Sequence, residues 1–341
     1  MELNNDVINN FSDILDEAVM VYYNALKSET DDERKEVENA NYLTCLTDVI
    51  DIFLHLDNHH LFDLEKEELE KLYKCFEKLE NIKINQEELR KALLFLEIKG
   101  FKQIHFPLDL ITPDAVGVIF QTLIDEVLKK MLKNKKQKYT LLDPNFGSGN
   151  LAFVIDNFSE YDAEIWGIEN NELLSTYACS KANLMMKNAT IYHQDALDFS
   201  ALNDKPLIVV SDIAGYDVKD IKLLEEVTYF PYLLIYHFLT IAATGSYFFY
   251  LVDTNFFSKN GSEVFKEKIA PYVDIKALVV LPNNFFLNDP KMILILEKVS
   301  DGNNIRSPKT SFAANVFMLP SIAKKDKFKE TIENIKAYLE D

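Results

Sequence analysis

The first hundred residues carry apolar side chains at the three-and-four spacing of amphipathic helices. The first stripe consists of Val7, Ile8, Phe11, Ile14, Leu15, Ala18, Val19, Tyr22, Ala25 and Leu26, and similar stripes run from Val37 to Leu56 and from Leu69 to Leu79. Asn85 and Glu88 form a capping-box pattern that opens a further helix, and Gly100 is predicted as its C-cap. We therefore predict an all-helical N-terminal domain over residues 1–104.

The pattern changes after Phe106, where short apolar runs alternate with amphipathic segments. The predicted strands are 139–142, 164–168, 190–193 and the runs PLIVVSD, YFFYLV, IKALVVLP and KMILILEKV; predicted helices include 114–132, 151–158, 172–186 and 325–339. Strands that alternate with helices are typical of a parallel sheet covered by helices on both faces. We therefore predict a second domain, residues 105–341, of the α/β class.

One apolar stretch, Leu233 to Val252, is about long enough to span a bilayer. Polar residues interrupt it at His237, Thr240 and 244–246, so we predict a buried helix, a turn and a buried strand instead of a membrane span. The opening residues MELNNDVINN lack the basic and apolar parts of a secretory signal. The three cysteines suit neither a disulfide framework nor a zinc site. We expect a cytoplasmic protein with no membrane segment and no metal site.

The formal net charge of −19 bears on possible partners. Proteins that bind DNA by themselves usually present a basic surface, since phosphate neutralisation supplies most non-specific affinity. The chain has only three arginines, and its lysine cluster at residues 129–138 is interpreted as the solvated end of a helix. Nucleic acid remains a possible partner, but we expect weak binding unless a protein partner supplies contacts. A homo-oligomer is also possible.

A glycine turn follows the first predicted strand of the second domain, in the sequence TLLDPNFGSGNL (140–151). Gly147 and Gly149 stand two apart in a chain that has 9 glycines in all. A strand, a glycine turn and a helix form a nucleotide-binding corner at the carboxyl edge of such a sheet. Glu169 ends the next predicted strand, 20 positions after Gly149, where an acidic residue usually takes ribose hydroxyls.

The residue that enters this turn distinguishes two classes of cofactor. A dinucleotide places its pyrophosphate against backbone N–H groups, and a carboxylate at that place would repel it. Asp143 is such a carboxylate, and it would attract the ammonium group of S-adenosylmethionine (SAM). The charge pattern therefore favours SAM over NAD.

Four segments, in their order along the chain, resemble N6-adenine DNA methyltransferases, notably the modification subunits of type I restriction systems. DPNFGSGNL resembles the DP-x-x-G-S-G motif of that family, LITPDAVGVIF (110–120) its Thr-Pro element, GIENN (167–171) its ribose-binding element, and HQDALD (193–198) the element with an adenine-contacting Asp. The resemblance covers residues 105–320, and 245–286 resemble the later strands of the family. With its helical N-terminal region, the chain is most similar to short stand-alone candidate methyltransferases of low-GC Gram-positive bacteria.

This resemblance implies a class I SAM-dependent methyltransferase fold, which is a Rossmann-like doubly wound sheet, and a SAM site. Thr112 would lie near the methionine end of SAM, Asp143 would face its amino group, and Glu169 and Asp195 would take the ribose hydroxyls and the adenine amine. Asn150 departs from the smaller or hydroxyl residue that relatives often have. The implied cofactor-binding residues are Thr112, Pro113, Asp143, Pro144, Gly147, Gly149, Glu169, Asn170, Asp195 and Ala196.

The catalytic motif of the family, [N/D/S]-P-P-[Y/F] after the fourth strand, is replaced here by SDIAGYD (211–217). In the family, the first side chain and a backbone carbonyl accept hydrogen bonds from the adenine amino group, and the aromatic ring stacks on the flipped base. Asp212 matches the first position, Gly215 stands in place of the aromatic residue, and Tyr216 follows one position late. Asp212 and Tyr216 are therefore the candidate catalytic residues. A loop with glycine and without prolines is expected to be less fixed.

Three functions remain open from the sequence. The first is a SAM-dependent methyltransferase that acts on nucleic acid with the help of a partner. The second is a SAM-binding sensor or scaffold without catalysis. The third is a nicotinamide oxidoreductase, which is disfavoured because neither His193 nor His237 belongs to an evident acid–base pair.

Overall fold

A computed structural model describes residues 3–28, 41–55, 64–202, 204–219, 223–224, 226–286, 289–302 and 314–340. The chain folds into two compact units, one formed by Met1–Ile111 with Asn171–Ile191 and the other by Thr112–Asn170 with Tyr192–Asp341. The predicted domain limits, 1–104 and 105–341, differ from these units mainly in the segment 171–191.

The first unit is built from helices. They are α1 (Asn5–Ser28), α2 (Tyr42–Phe53), α3 (Lys66–Glu80), α4 (Gln86–Gln103) and, from later in the sequence, α7 (Glu172–Leu184). Helix α1 packs against α2, α3 and α4, and α2 also packs against α7. The Lys181 ammonium of α7 lies 2.9 Å from the Glu97 carboxylate of α4, and both side chains are fully buried. A buried charge needs such a partner, so this ion pair joins α7 to α4.

The ends of α4 show one correct and one wrong prediction. The capping box is confirmed, because the Asn85 side chain accepts the Glu88 N–H and the Glu88 carboxylate accepts the Asn85 N–H. The predicted C-cap at Gly100 is wrong, because the helix continues to Gln103 and is capped by Ile104. A Cβ at Gly100 would lie 3.3 Å from both Leu43 and Tyr42, so this glycine lets α2 approach closely.

The second unit contains α5 (Asp114–Met131), α6 (Asn150–Phe158), α8 (Phe230–Ile241), α9 (Ser262–Ile269) and α10 (Lys325–Glu340). Within the described residues, eight strands form one sheet: β1 (Tyr139–Asp143), β2 (Ala163–Glu169), β3 (Ala189–His193), β4 (Ile208–Asp212), β5 (Tyr247–Asp253), β6 (Val273–Val280), β7 (Lys291–Lys298) and β8 (Asn315–Met318). Their order in the sheet is β3-β2-β1-β4-β5-β7-β6-β8. The apolar stretch 233–252 contributes α8, a turn and β5, as its polar interruptions predicted.

The sheet is mixed, which corrects the expectation of a wholly parallel one. Strands β2, β1, β4 and β5 run parallel, whereas β7 lies antiparallel to both β5 and β6. The apolar run KMILILEKV fits either direction, because a buried strand shows the same pattern in both. The antiparallel direction has a consequence for the site: the amino end of β7 lies at the same edge as the carboxyl ends of β4 and β5.

The chain reverses its direction across the sheet at β1. Strands β2 and β3 lie on one side of β1, and β4 and β5 lie on the other. In sheets of this class, ligands bind at the carboxyl ends of the strands beside that reversal. The residues that end β1, β2 and β4 are therefore the candidate ligand-binding residues.

Candidate functional site

Four neighbouring parallel strands each end on an acidic residue. Asp143, Glu169, Asp212 and Asp253 are the last residues of β1, β2, β4 and β5. Because these strands are parallel, their carboxyl ends lie at one edge of the sheet. The first three surround the point where the strand order reverses, and all predicted site residues belong to the second unit.

The glycine turn forms as its sequence predicts. Gly147 and Gly149 have φ angles of +55° and +78°, values that favour glycine. The Gly149 N–H donates to the Phe146 carbonyl at 2.8 Å, and α6 begins at Asn150. A Cβ at Gly149 would lie within 2.7 Å of the ring of Phe146 and 2.6 Å of Phe153. Gly149 is therefore required by the turn itself, whatever ligand the turn receives.

Phe146 is a structural part of the turn that sequence reasoning did not single out. Its ring is buried, and a Cβ at Gly167 of β2 would lie 2.4 Å from it. Its N–H donates to the Ile168 carbonyl at 3.0 Å. The signal was present in the sequence, since a glycine inside a strand often marks a close approach of another group.

Glu169 contacts the turn directly. Its Oε2 accepts the Gly147 N–H at 2.8 Å. A carboxylate therefore lies against the backbone group at which a dinucleotide would place its pyrophosphate. The predicted ribose-binding role of Glu169 stays a prediction, but this contact shows that it lies at the glycine turn.

Asp143 is almost fully buried, with 2% of its surface exposed. Burial is the main cause that raises the pKa of its carboxyl to about 7; the Asn145 N–H and the Ser211 side chain lower this pKa, and the negative charges of Asp212 and Glu169 raise it. The Asn145 N–H donates to Oδ1 at 3.0 Å. The hydroxyl of Tyr250 is also buried, has no hydrogen-bond partner within the described residues, and has its pKa raised by burial and by Asp143.

Thr112 and Pro113 lie between the glycine turn and β4. Pro113 precedes α5, and the Asn150 side chain donates to the Thr112 carbonyl at 2.8 Å. The Thr112 hydroxyl donates to Asp212 Oδ2 at 3.0 Å. Asn150, which the sequence presented only as a departure from relatives, thus ties the turn to the Thr-Pro element. One indication of this role was present in the sequence, because Asn150 directly follows Gly149 and is the first residue of the helix after the turn.

Asp212 forms an ion pair that the sequence did not predict. Lys291, the first residue of β7, donates from Nζ to Asp212 Oδ1 at 2.6 Å. The side chains of Lys291 and Asp212 are only 19% and 15% exposed. A single lysine at the start of an apolar strand was the sequence signal, although its partner is 79 positions away.

The loop after Asp212 is held in place, contrary to the expectation that it is loose. The Ile213 N–H donates to the Leu251 carbonyl at 3.0 Å, and the Val218 N–H donates to the Thr228 carbonyl at 2.8 Å. At Gly215, a Cβ would lie 2.7 Å from the Tyr229 hydroxyl. Glycine is needed there because another group packs against it, so this glycine does not loosen the loop.

Tyr216 is 49% exposed and stacks on Phe230, with ring centroids 4.7 Å apart and an interplanar angle of 15°. Its carbonyl accepts the Phe230 N–H at 2.9 Å. Burial raises the pKa of its hydroxyl, and the carboxylates of Asp195 and Glu169 raise it further. The role of Tyr216 as a ring over an acceptor base stays a prediction.

The predicted adenine-contacting residues lie after β2 and β3. Asp195 is exposed and its Oδ1 accepts the Leu197 N–H at 2.8 Å, while Ala196 is buried. His193 Nε2 lies 3.2 Å from the Asn170 carbonyl, and the Gln194 N–H donates to the Glu169 carbonyl at 3.2 Å. These contacts fix the two strand ends beside each other.

Among the described residues, no group of His, Cys, Asp or Glu is arranged to hold a metal ion. No helix in the described part of the chain has the length and apolar character needed to cross a membrane. His237 Nε2 lies 2.8 Å from the Phe199 carbonyl, a structural contact.

No protein-family model matches the chain. The chain is 28% identical over 260 residues to the uncharacterized protein YtxK of Bacillus subtilis, an alignment that covers 74% of this chain and 77% of that protein. A Listeria monocytogenes structure described as a candidate class I SAM-dependent methyltransferase is similar with a TM-score of 0.78 and 24% identity, over 98% of this chain and 100% of that chain.

A second similar structure is the methyltransferase subunit of a type I restriction-modification system from Streptococcus thermophilus. Its TM-score is 0.57 at 12% identity, over 98% of this chain and 92% of that chain. The chain has the class I SAM-dependent methyltransferase fold. The predicted fold class is thereby confirmed, and the predicted cofactor agrees with the class of proteins that share this fold.

The burial of Asp143 predicts a dependence of stability on pH. A carboxyl with a pKa of about 7 when folded and about 3.9 when unfolded binds its proton more tightly in the folded state, so stability falls as pH rises between these values. Asp143→Asn removes the titrating carboxyl and with it this pH dependence. The gain in free energy of unfolding from the substitution, measured on the ligand-free protein, should be about 1–3 kcal/mol larger at pH 8 than at pH 5. Thermal and urea unfolding at both pH values measure the difference.

Asp162→Asn serves as the control for this experiment, because Asp162 is exposed and directly precedes β2, at the opposite end of that strand from Glu169. It should change stability equally little at pH 5 and pH 8. Destabilisation by Asp143→Asn to the same extent at both pH values would contradict the assignment of a raised pKa to Asp143.

Proposed function

We propose that this protein binds SAM and transfers its methyl group. The observation that carries the proposal is the buried Asp143, whose pKa is raised to about 7 by its burial and by the neighbouring Asp212 and Glu169. Such a cluster favours a cationic ligand, because a nearby positive charge stabilises the ionised carboxylates. SAM carries an ammonium and a sulfonium group, and when bound it supplies an electrophilic methyl group.

The donor set fits the other parts of SAM as well. We assign Asp143 to the ammonium group, Glu169 to the ribose hydroxyls and Asp195 to the adenine amine, with Thr112 and Pro113 near the methionine carboxylate. The buried hydroxyl of Tyr250 has no hydrogen-bond partner within the described residues, and its pKa is raised by burial and by the charge of Asp143, so it offers one more polar group in this region. A dinucleotide fits poorly, because Glu169 occupies the Gly147 N–H that its pyrophosphate would need.

For the acceptor we propose an amino group on a nucleic-acid base, such as adenine N6. Asp212 ends the fourth strand, where the resemblance to N6-adenine methyltransferases puts an acceptor for the hydrogens of that amino group. The similarity to a restriction-modification methyltransferase subunit supports this class of substrate. Because the chain carries a net charge of −19, we further propose that a partner protein supplies most of the DNA contacts.

A second candidate function, a SAM-binding sensor or scaffold, is favoured by one observation. Both oxygens of the Asp212 carboxylate already accept hydrogen bonds, from Lys291 and Thr112. Tyr216 is stacked on Phe230 rather than standing alone. An acceptor amino group must compete with these contacts, and a protein that never releases them would bind SAM without transferring its methyl group.

The cofactor assignment predicts selective binding. In calorimetry, SAM should bind and NAD should not. Asp143→Asn and Glu169→Gln should each make the binding free energy of SAM less favourable by about 1–3 kcal/mol, because each removes a charged hydrogen bond. Asp125→Asn is the matched control: burial also raises the pKa of Asp125, but this carboxylate accepts a hydrogen bond from the hydroxyl of Ser159, which follows α6 at the end opposite to the glycine turn. Equal binding of NAD and SAM, or an equal loss with Asp125→Asn, would refute the assignment.

The two candidate functions predict different results in a methyl-transfer assay with labelled SAM on DNA, RNA and protein pools. A methyltransferase should label one pool, and Asp212→Ala should lower turnover at least about 100-fold while SAM affinity changes less than about tenfold, because its contact is made mainly in the transition state. A sensor should bind SAM and label none. Robust turnover by the Asp212→Ala variant would contradict both the sensor function and the proposed catalytic role of Asp212.

A further inference from the structure

Lys291 of β7 contacts Asp212 of β4, although β5 lies between these two strands in the sheet. It opens β7 and pairs in register with Asp253 of β5, yet its Nζ contacts Asp212 of β4 at 2.6 Å. The lysine side chain thus crosses the end of β5. Its ammonium also lies 5.6 Å from the ring centroid of Phe286, a cation–π distance. The residues that follow it, Met292 to Leu296, are buried and apolar, so Lys291 is the one charged side chain at this end of the described strand.

The negative charge of Asp212 also affects Asp143, at the end of the neighbouring strand β1. It contributes to raising the pKa of Asp143, the group assigned to the ammonium of SAM. A positive charge on Lys291 opposes that influence, since at a partly buried site one unit charge is screened less than in water. Lys291 therefore acts on the cofactor corner through Asp212, without belonging to the glycine turn.

The cofactor and its product differ in the charge that this pair would sense. SAM carries a positive sulfonium, whereas S-adenosylhomocysteine (SAH), which remains after the methyl group has left, carries a neutral sulfur. A site with an excess of negative charge holds SAM much better than SAH, and a site nearer to neutrality discriminates less between them.

We propose that Lys291 is a positioning residue and counter-ion of Asp212, which sets the preference of the site for the cationic cofactor over its neutral product. This proposal rests on the proposed function, because it takes SAM to be the ligand. Lys291 also directs Asp212 towards Thr112, so that one carboxylate oxygen bonds each of them. An ordinary structural ion pair would stabilise the edge of the sheet but would leave the ratio of the two affinities unchanged.

The test is a charge cycle measured by calorimetry with SAM and SAH. Lys291→Met leaves Asp212 uncompensated and should raise the SAM-to-SAH affinity ratio about fivefold, whereas Asp212→Asn leaves Lys291 uncompensated and should lower it by a similar factor. The double variant should return close to the wild-type ratio, and Lys291→Arg should retain it. Opposite signs in the single variants that cancel in the double variant cannot come from loss of structure alone.

Lys276→Met provides the matched control, because Lys276 forms a 3.3 Å ion pair with Glu297 between β6 and β7 in the same sheet. It should leave the ratio close to that of wild type. A ratio that is likewise unchanged in folded Lys291→Met and Asp212→Asn would overturn the proposal.

A second readout needs no cofactor and separates this proposal from the proposed function. Asp143→Asn should increase the free energy of unfolding of the ligand-free protein, and this increase grows as the pH rises. It stops growing near the pKa that Asp143 has in the folded protein, so the pH at which it levels off reports the ionisation of that carboxyl. In a Lys291→Met background this pH should move up, and in an Asp212→Asn background it should move down. Failure of wild type to bind SAM would refute the proposed function alone, whereas a levelling pH unmoved by both substitutions would refute the counter-ion role of Lys291.

Discussion

The site depends on one constraint: a carboxylate, Asp143, is buried where the strand order of the sheet reverses. The fold creates this position because β1 lies between β2 and β4, and each of these neighbours also ends on an acidic residue. Burial and two nearby negative charges make the ionised form of Asp143 unfavourable. The ligand-free protein is thereby less stable at neutral pH than it could be, and a cationic ligand offsets the same unfavourable charge.

This electrostatic arrangement also relates the two halves of the site. Asp143 and Glu169 belong to the glycine turn, whereas Asp212 belongs to the proposed acceptor side and is held by Thr112 and Lys291. Thr112 is in turn held by Asn150, the first residue of the helix that follows the turn. The charge of Asp212 contributes to raising the pKa of Asp143, which is why the proposed role of Lys291 as counter-ion of Asp212 concerns both sides of the site.

The sequence predicted those parts of the fold and site that short segments determine. Gly147, Gly149 and Glu169 could be placed because a strand, a turn and a helix follow one another within 31 residues of chain from Tyr139 to Glu169. The direction of β7 could not be predicted, because a buried apolar strand looks the same in either direction. Lys291 and Asn150 were missed as site residues, since their partners are 79 and 38 positions away. The predictions for Gly100 and Gly215 were wrong for a similar reason: the groups that pack on them come from other segments.

The central claim, that Asp143 is the carboxylate that a cationic cofactor ionises, is tested most directly by counting the protons that SAM displaces. Calorimetric titrations in buffers of different ionisation enthalpy give this number at each pH. With a pKa of about 7 for Asp143 in the ligand-free protein, binding should release roughly half a proton at pH 7 and close to one at pH 6. SAM binding without proton release at either pH would show that the buried carboxylate is not the group that meets the cofactor.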